Sequence, residues 1–301
     1  MSGQGTGYIF RALGANLTIA VAKGIGAFIT GSGALLAETL HSLSDCVNQV
    51  LLLVGLKQSA RPPDARYPLG QGRNLYFWSF MVAMLLFLGG GAYAIYEGVH
   101  KLRHPEPLDK PLIAVGILVF SLAIEGWALA GAYKAVAARK GNRSLIKYLR
   151  ETKDSDLVVI FGEDGAAVLG LALALIAVLI AMATGNPAWD ALGSLAIGAV
   201  LIGVAFFLAV EVKSLLLGES ADPALLEIIE ACAKEDPRIL KVLRTLTVQQ
   251  GPGEIVVACK LQFRADLTTQ TLVDSINQFE VRLHEKVPEV RWSFIEPDDV
   301  E

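Results

Sequence analysis

His41 and Asp45 lie four residues apart in one apolar run, so on a helix they share a face about one turn apart. A neutral imidazole nitrogen and a carboxylate oxygen suit zinc and its borderline neighbours, and two ligands from one helix would supply half a tetrahedral shell. Asn48, seven residues after His41, extends the same stripe. A second apolar run contributes Glu163 and Asp164. Adjacent helical residues point about 100° apart, so only one of the two can face the first pair squarely. Gly162, Ala166, Gly170 and Ala174 recur every four residues and would let another helix backbone approach closely, as a shared metal shell requires. Glu125, alone in a third run, reads either as a packing or water-bonded carboxylate or as a proton carrier. Asn48, as part of the stripe, is grouped with it as a candidate for that role.

Other reactive types are scattered. Cys46, Cys232 and Cys259 form no CxxC pair and read as small buried side chains. Lys23 and Arg11 read as interfacial or paired, because long basic chains snorkel. His100 and His104 are expected in a solvated loop and His284 on a soluble helix. No HExxH or GxSxG motif is present, which argues against an intramembrane hydrolase.

The elements that must position these residues are apolar helices. Of 301 residues, 53% are hydrophobic and 19% charged, too apolar for an ordinary soluble chain. Runs near Tyr8 to Ile29, Leu35 to Leu56, Leu75 to Val99, Leu112 to Ala138, Leu157 to Ala183 and Ala188 to Val210 each reach the roughly 20 residues a spanning helix needs. Six spans are predicted. The opening segment has no short apolar core with a cleavage site and reads as a mature terminus. Lys and Arg collect in the segments after the second and fourth runs, Lys57 to Arg73 and Arg139 to Lys153, which places both termini in the cytoplasm.

After Gly218 the texture becomes mixed charged and apolar, and residues 219–301 are expected to form a soluble domain beside a 1–218 membrane domain. Helical spacing in DPALLEIIEACAKEDP, with Asp222 as N-cap, alternation in LKVLRTLTVQQ and EIVVACKLQF, then a second helix and a last strand give the order α-β-β-α-β. This tail has nine basic and 16 acidic residues, a balance that argues against nucleic acid as a partner.

With HSLSD in the second span, YPLGQGRN in the loop after it, a carboxylate near the start of the fifth span and the α-β-β-α-β tail, the chain resembles the cation diffusion facilitators. The EDGAAVLG run is similar to the branch of animal zinc transporter nine. The resemblance implies a homodimer of six-helix membrane domains with ferredoxin-like cytoplasmic domains, exchanging metal for protons by alternating access. It assigns His41, Asp45 and Asp164 to the transport site. Ile160 stands where the family has a further ligand, and Glu163 would supply it if the helix bends locally. Tyr67 and Gln71 replace both loop histidines, leaving Asp64. Glu296 and Asp298 fall where some members bind metal in the cytoplasmic domain.

An imidazole with carboxylates favours zinc, with manganese, iron or cobalt as other cargoes. The same groups take protons, so metal and protons compete, and export from the cytoplasm is the expected direction. The expected setting is a prokaryotic cytoplasmic membrane, with lipid, metal ions, protons and a second copy as partners. A membrane metal sensor or scaffold that signals through its tail without moving ions is the alternative reading.

Overall fold

The computed structural model describes residues 4–105, 110–153 and 155–299, apart from the side chains of residues 4–12, 15, 151 and 156. Arg11, expected at an interface, is one of the side chains outside this description. The first helices are α1 (Gln4–Thr30), α2 (Gly33–Ser59), α3 (Asn74–Leu85) and α4 (Tyr93–Arg103). A π-helical segment, Leu86–Ala92, joins α3 to α4, and its LFLGGGA sequence has no side chain on three successive residues. Then come α5 (Pro111–Lys140), short α6 (Leu145–Glu151), α7 (Ser155–Thr184) and α8 (Ala188–Leu217).

Among the described residues, Asn74–Arg103, Pro111–Lys140, Leu157–Thr184 and Ala188–Leu217 are long and apolar enough to cross a membrane. Four of the six predicted spans meet this standard. In α1 the apolar stretch is Asn16–Thr30. In α2, which has 27 residues, Glu38, His41, Asp45 and Asn48 interrupt the apolar sequence.

The chain divides into two compact units. The first comprises Met1–Gly55, Trp78–Arg150 and Ser155–Val212. Within it α5 packs along α7 and α1 along α5. Its polarity is inverted relative to a water-soluble protein. Phe28, Leu112, Phe120, Trp127 and Phe206 are exposed, whereas Lys23, Glu38, His41, Ser42 and Asn48 are buried. Such a distribution suits hydrocarbon outside and a polar seam within.

The second unit comprises Leu56–Phe77, Glu151–Asp154 and Lys213–Glu301. It holds α9 (Ala224–Lys234), β1 (Ile239–Gly251), β2 (Glu254–Phe263), α10 (Thr269–Lys286) and β3 (Val290–Pro297). The N-cap of α9 is Pro223 rather than the expected Asp222, which lies one residue earlier and accepts the Ala224 N–H at 2.9 Å. The sheet order is β1-β2-β3, with β1 and β2 antiparallel in the register Val248 to Val256. β2 and β3 run parallel, Cys259 opposite Ile295, which requires a crossover, and α10 supplies it. Alternate β2 residues Val257, Cys259 and Leu261 meet Leu225, Ile229 and Cys232 of α9 and Phe279 and Leu283 of α10 in one core.

The loop after α2 belongs to this second unit. Gly72 lies so close to the β1–β2 turn that an added Cβ would fall 2.6 Å from Glu254 Oε2 and 2.8 Å from the Gln250 carbonyl. Only glycine fits without displacing them.

Candidate functional site

The position of α2 is fixed at its start and along one side. The Asp190 carboxylate at the head of α8 accepts the Gly33 N–H at 2.8 Å and the Ser32 hydroxyl at 2.7 Å, satisfying one of the free donors that begin a helix. Along α1, Gly24 removes the side chain that would collide with Thr39, since a Cβ there would sit 3.2 Å from its methyl carbon. Close approach of α1 brings Lys23 inside. Its Nζ donates to Ser42 Oγ at 2.8 Å and to Glu38 Oε2 at 3.3 Å, and both ends of the ion pair are fully buried. Of the two readings for Lys23, interfacial or paired, the structure selects the second.

His41 is fully buried, and its Nδ1 lies 3.7 Å from Asp45 Oδ1. That is too long for a hydrogen bond. Two ligands on one tetrahedral zinc, with bonds of about 2.0–2.1 Å, sit about 3.3 Å apart, so a small adjustment would bring these atoms to ligand spacing. Both His41 ring nitrogens, Asp45 Oδ1, Asn48 Oδ1 and Glu38 Oε1 are buried without a hydrogen-bond partner. Each such orphan costs about 1–3 kcal/mol, a penalty that a seam built only for packing would avoid.

From α7, Glu163 faces α2 and accepts from Asn48 Nδ2 at 2.5 Å, while Asp164 is half-buried. Glu163 rather than Asp164 therefore makes the direct contact with α2. Asn48, grouped with Glu125 for proton transfer, is engaged through its amide in holding that carboxylate. Asp164 acts electrostatically on Glu163, and Asp45 acts on both. Half-buried Glu125 of α5 is an electrostatic neighbour of His41, Asp45 and Asp164. The groups thus gather in one region, but among the described residues no three His, Cys, Asp or Glu side chains converge to ligand distance. Glu163 is instead bonded to Asn48.

Residues outside this region have structural partners. Glu296 and Asp298 both bind Lys260 Nζ, at 3.3 and 2.5 Å, so an ammonium occupies the place between the two carboxylates. Asp64 accepts the Arg66 and Tyr67 N–H groups at 2.8 and 2.7 Å and serves a turn. His100 and His104 close α4 with ring centroids 5.3 Å apart. Burial pushes the Cys259 thiol up to about 11 and Cys232 upward too, so neither offers a ready thiolate. Sequence reasoning missed Glu38 and Ser42. Glu38 precedes His41 by three residues, the other same-face helical spacing, and that signal was available.

Residues 9–217 match the family described as the cation efflux transmembrane domain. The chain is 33% identical over 272 residues to the human "Proton-coupled zinc antiporter SLC30A9, mitochondrial", covering 88% of this chain and 48% of that protein. It is 31% identical over 244 residues to "Metal tolerance protein C4" of Arabidopsis thaliana, covering 80% and 53%. With "Uncharacterized transporter MJ0449" of Methanocaldococcus jannaschii it shares 22% identity over 291 residues, 95% of each chain. The chain spans about half the length of the human and Arabidopsis relatives.

Proposed function

Because this chain belongs to the cation efflux family, we propose that it carries divalent transition-metal ions across a membrane, zinc by preference, in exchange for protons. The observation that carries this reading is the α2 pair: a buried imidazole and a half-buried carboxylate 3.7 Å apart, with both ring nitrogens and one carboxylate oxygen unpartnered, beside the carboxylates of α7. His41, Asp45 and Asp164 are the proposed ligands, with Glu163 as the fourth once it leaves Asn48, and Glu125 as a proton carrier at the edge of the group. Ligation requires neutral imidazole and ionised carboxylates, so loading metal expels protons and protonation releases metal. That competition is the coupling. The names of the zinc antiporter and metal tolerance relatives support the cargo.

The remaining parts of the proposal concern the whole assembly. α1 and α2 complete a set of six spans, with both termini in the cytoplasm and the membrane domain ending near Gly218. Residues 219–301 form a ferredoxin-like cytoplasmic domain through which two copies associate. Manganese, iron and cobalt are secondary cargoes, and the direction is export.

Proton movement driven by added metal, measured in proteoliposomes containing the purified chain, tests the proposal. Zinc should evoke the largest flux, with smaller responses to cobalt, manganese and iron. Zinc binding without any metal or proton flux would replace the transporter with a sensor.

A further inference from the structure

The buried Lys23–Glu38 pair is a cation placed beside a proposed cation site, an arrangement that ordinary packing does not explain. Lys23 reaches the seam from α1, bonded to Glu38 Oε2 at 3.3 Å and Ser42 Oγ at 2.8 Å. Glu38 is three residues before His41 and Ser42 is next to it. The ammonium acts electrostatically on both His41 and Asp45. The second oxygen of Glu38 has no partner and is aimed at α7, where a Cβ on Gly170 would lie 2.3 Å from it. Gly170 is therefore a notch, and any side chain there would push the carboxylate out of the α2–α7 seam.

A divalent ion entering beside a bare ammonium would meet Coulomb repulsion that a low-polarity interior screens poorly. A lone carboxylate at the same place would add attraction and hold the cargo too tightly for release. We infer that Lys23 and Glu38 form an affinity-setting charge pair for the α2–α7 metal site, with Glu38 masking the ammonium and Gly170 holding Glu38 in place. The inference rests on the proposed site. Lys23 and Glu38 are positioning groups, not ligands.

The sign of each substitution separates charge balance from packing. Zinc affinity of the full chain in detergent is measured by competition with a chelating dye, and elution profile and thermal unfolding report the fold. Glu38→Gln should weaken zinc by about tenfold or more, the consequence of an unmasked charge within about two helical turns. Glu38→Asp, which keeps the charge, should stay within about threefold of the parent, again because the Coulomb term is retained. Lys23→Met should bind as tightly as the parent or tighter, and Lys23→Met with Glu38→Gln should recover the affinity lost in Glu38→Gln alone.

Uniform weakening in both single variants and the double would overturn the inference, since packing damage has no compensating sign. If Lys23→Met does not fold, the Gln and Asp variants of Glu38 carry the test: equal weakening in both would reject a charge effect. His41→Ala is run alongside. Parent-like zinc affinity in that variant would remove the site itself, whereas loss of binding there with no sign difference at Lys23 and Glu38 would remove only the charge pair.

Discussion

Asp236 in the second unit and the His41–Asp45 pair in the first are all shielded polar groups, and the protein treats them in opposite ways. Asp236 receives the Arg238 N–H at 3.0 Å, the Arg238 guanidinium at 2.8 and 2.7 Å, and the Ser275 hydroxyl at 2.8 Å. Its side chain is 2% exposed, and these donors, led by the guanidinium, hold its carboxyl well below the ordinary range. His41 has neither nitrogen bonded, and Asp45 leaves one oxygen unpaired. A polar group retained for the fold is saturated, while a polar group retained for an incoming ion must keep its lone pairs free. Burial alone would have ranked these groups together. Bonding separates them.

The largest effect that can break this contrast is at the unsaturated pair. His41→Ala or Asp45→Asn should lower zinc uptake into proteoliposomes by about 100-fold or more, because these two residues are proposed to supply half of a tetrahedral shell. Uptake at the parent rate in either variant would place the metal elsewhere.

The α7 carboxylates sharpen the contrast at smaller amplitude. Asp164→Asn should abolish measurable zinc binding, and Glu163→Gln, which can still accept from Asn48, should retain it with about tenfold lower affinity and an altered pH dependence, as expected of competition between protons and metal. A titration with the two effects reversed would make Glu163 the principal ligand.

At Asp236 the expected loss is of stability alone. Asp236→Ala removes a shielded carboxylate and strands its donors, which should cost about 2–4 kcal/mol without changing zinc affinity. The pH sign follows from the depressed folded value. Asp236 contributes fully above its unfolded value of about 4, and the contribution disappears only as strong acid protonates the folded group. Unfolding followed by circular dichroism across acid pH would reveal this; a stability loss beginning near neutrality would have another cause.

Lys260→Ala should have the smallest effect, leaving the number of zinc ions bound per chain unchanged, because Glu296 and Asp298, once freed from the ammonium, supply only half of a tetrahedral shell. Elemental analysis of the zinc-saturated variant showing an additional ion would restore the cytoplasmic metal site.

Much of this was legible in local sequence pattern. Alternation at Val257, Cys259 and Leu261 and helical spacing at Leu225, Ile229 and Cys232 marked the faces that now form the second core. The four-residue spacing of His41 and Asp45 marked the face of α2 on which metal binding is proposed. What sequence could not supply depended on rotation and long-range approach. Glu163 and Asp164 differ by about 100° on a helix, so only the packing of α7 decides which meets Asn48. Gly72 belongs with Gly251 through a contact between distant parts of the chain, and no local pattern links them. The sequence left Lys23 between interfacial and paired because its partner carboxylate lies on the next helix.

Anomalous X-ray diffraction at the zinc edge from crystals of the zinc-soaked full chain tests the central claim most directly. The account predicts one dominant peak between α2 and α7, bonded to His41 and Asp45 and completed by an α7 carboxylate, and its loss in His41→Ala. A dominant peak at His100 and His104, or one at α2 and α7 that survives His41→Ala, would contradict it.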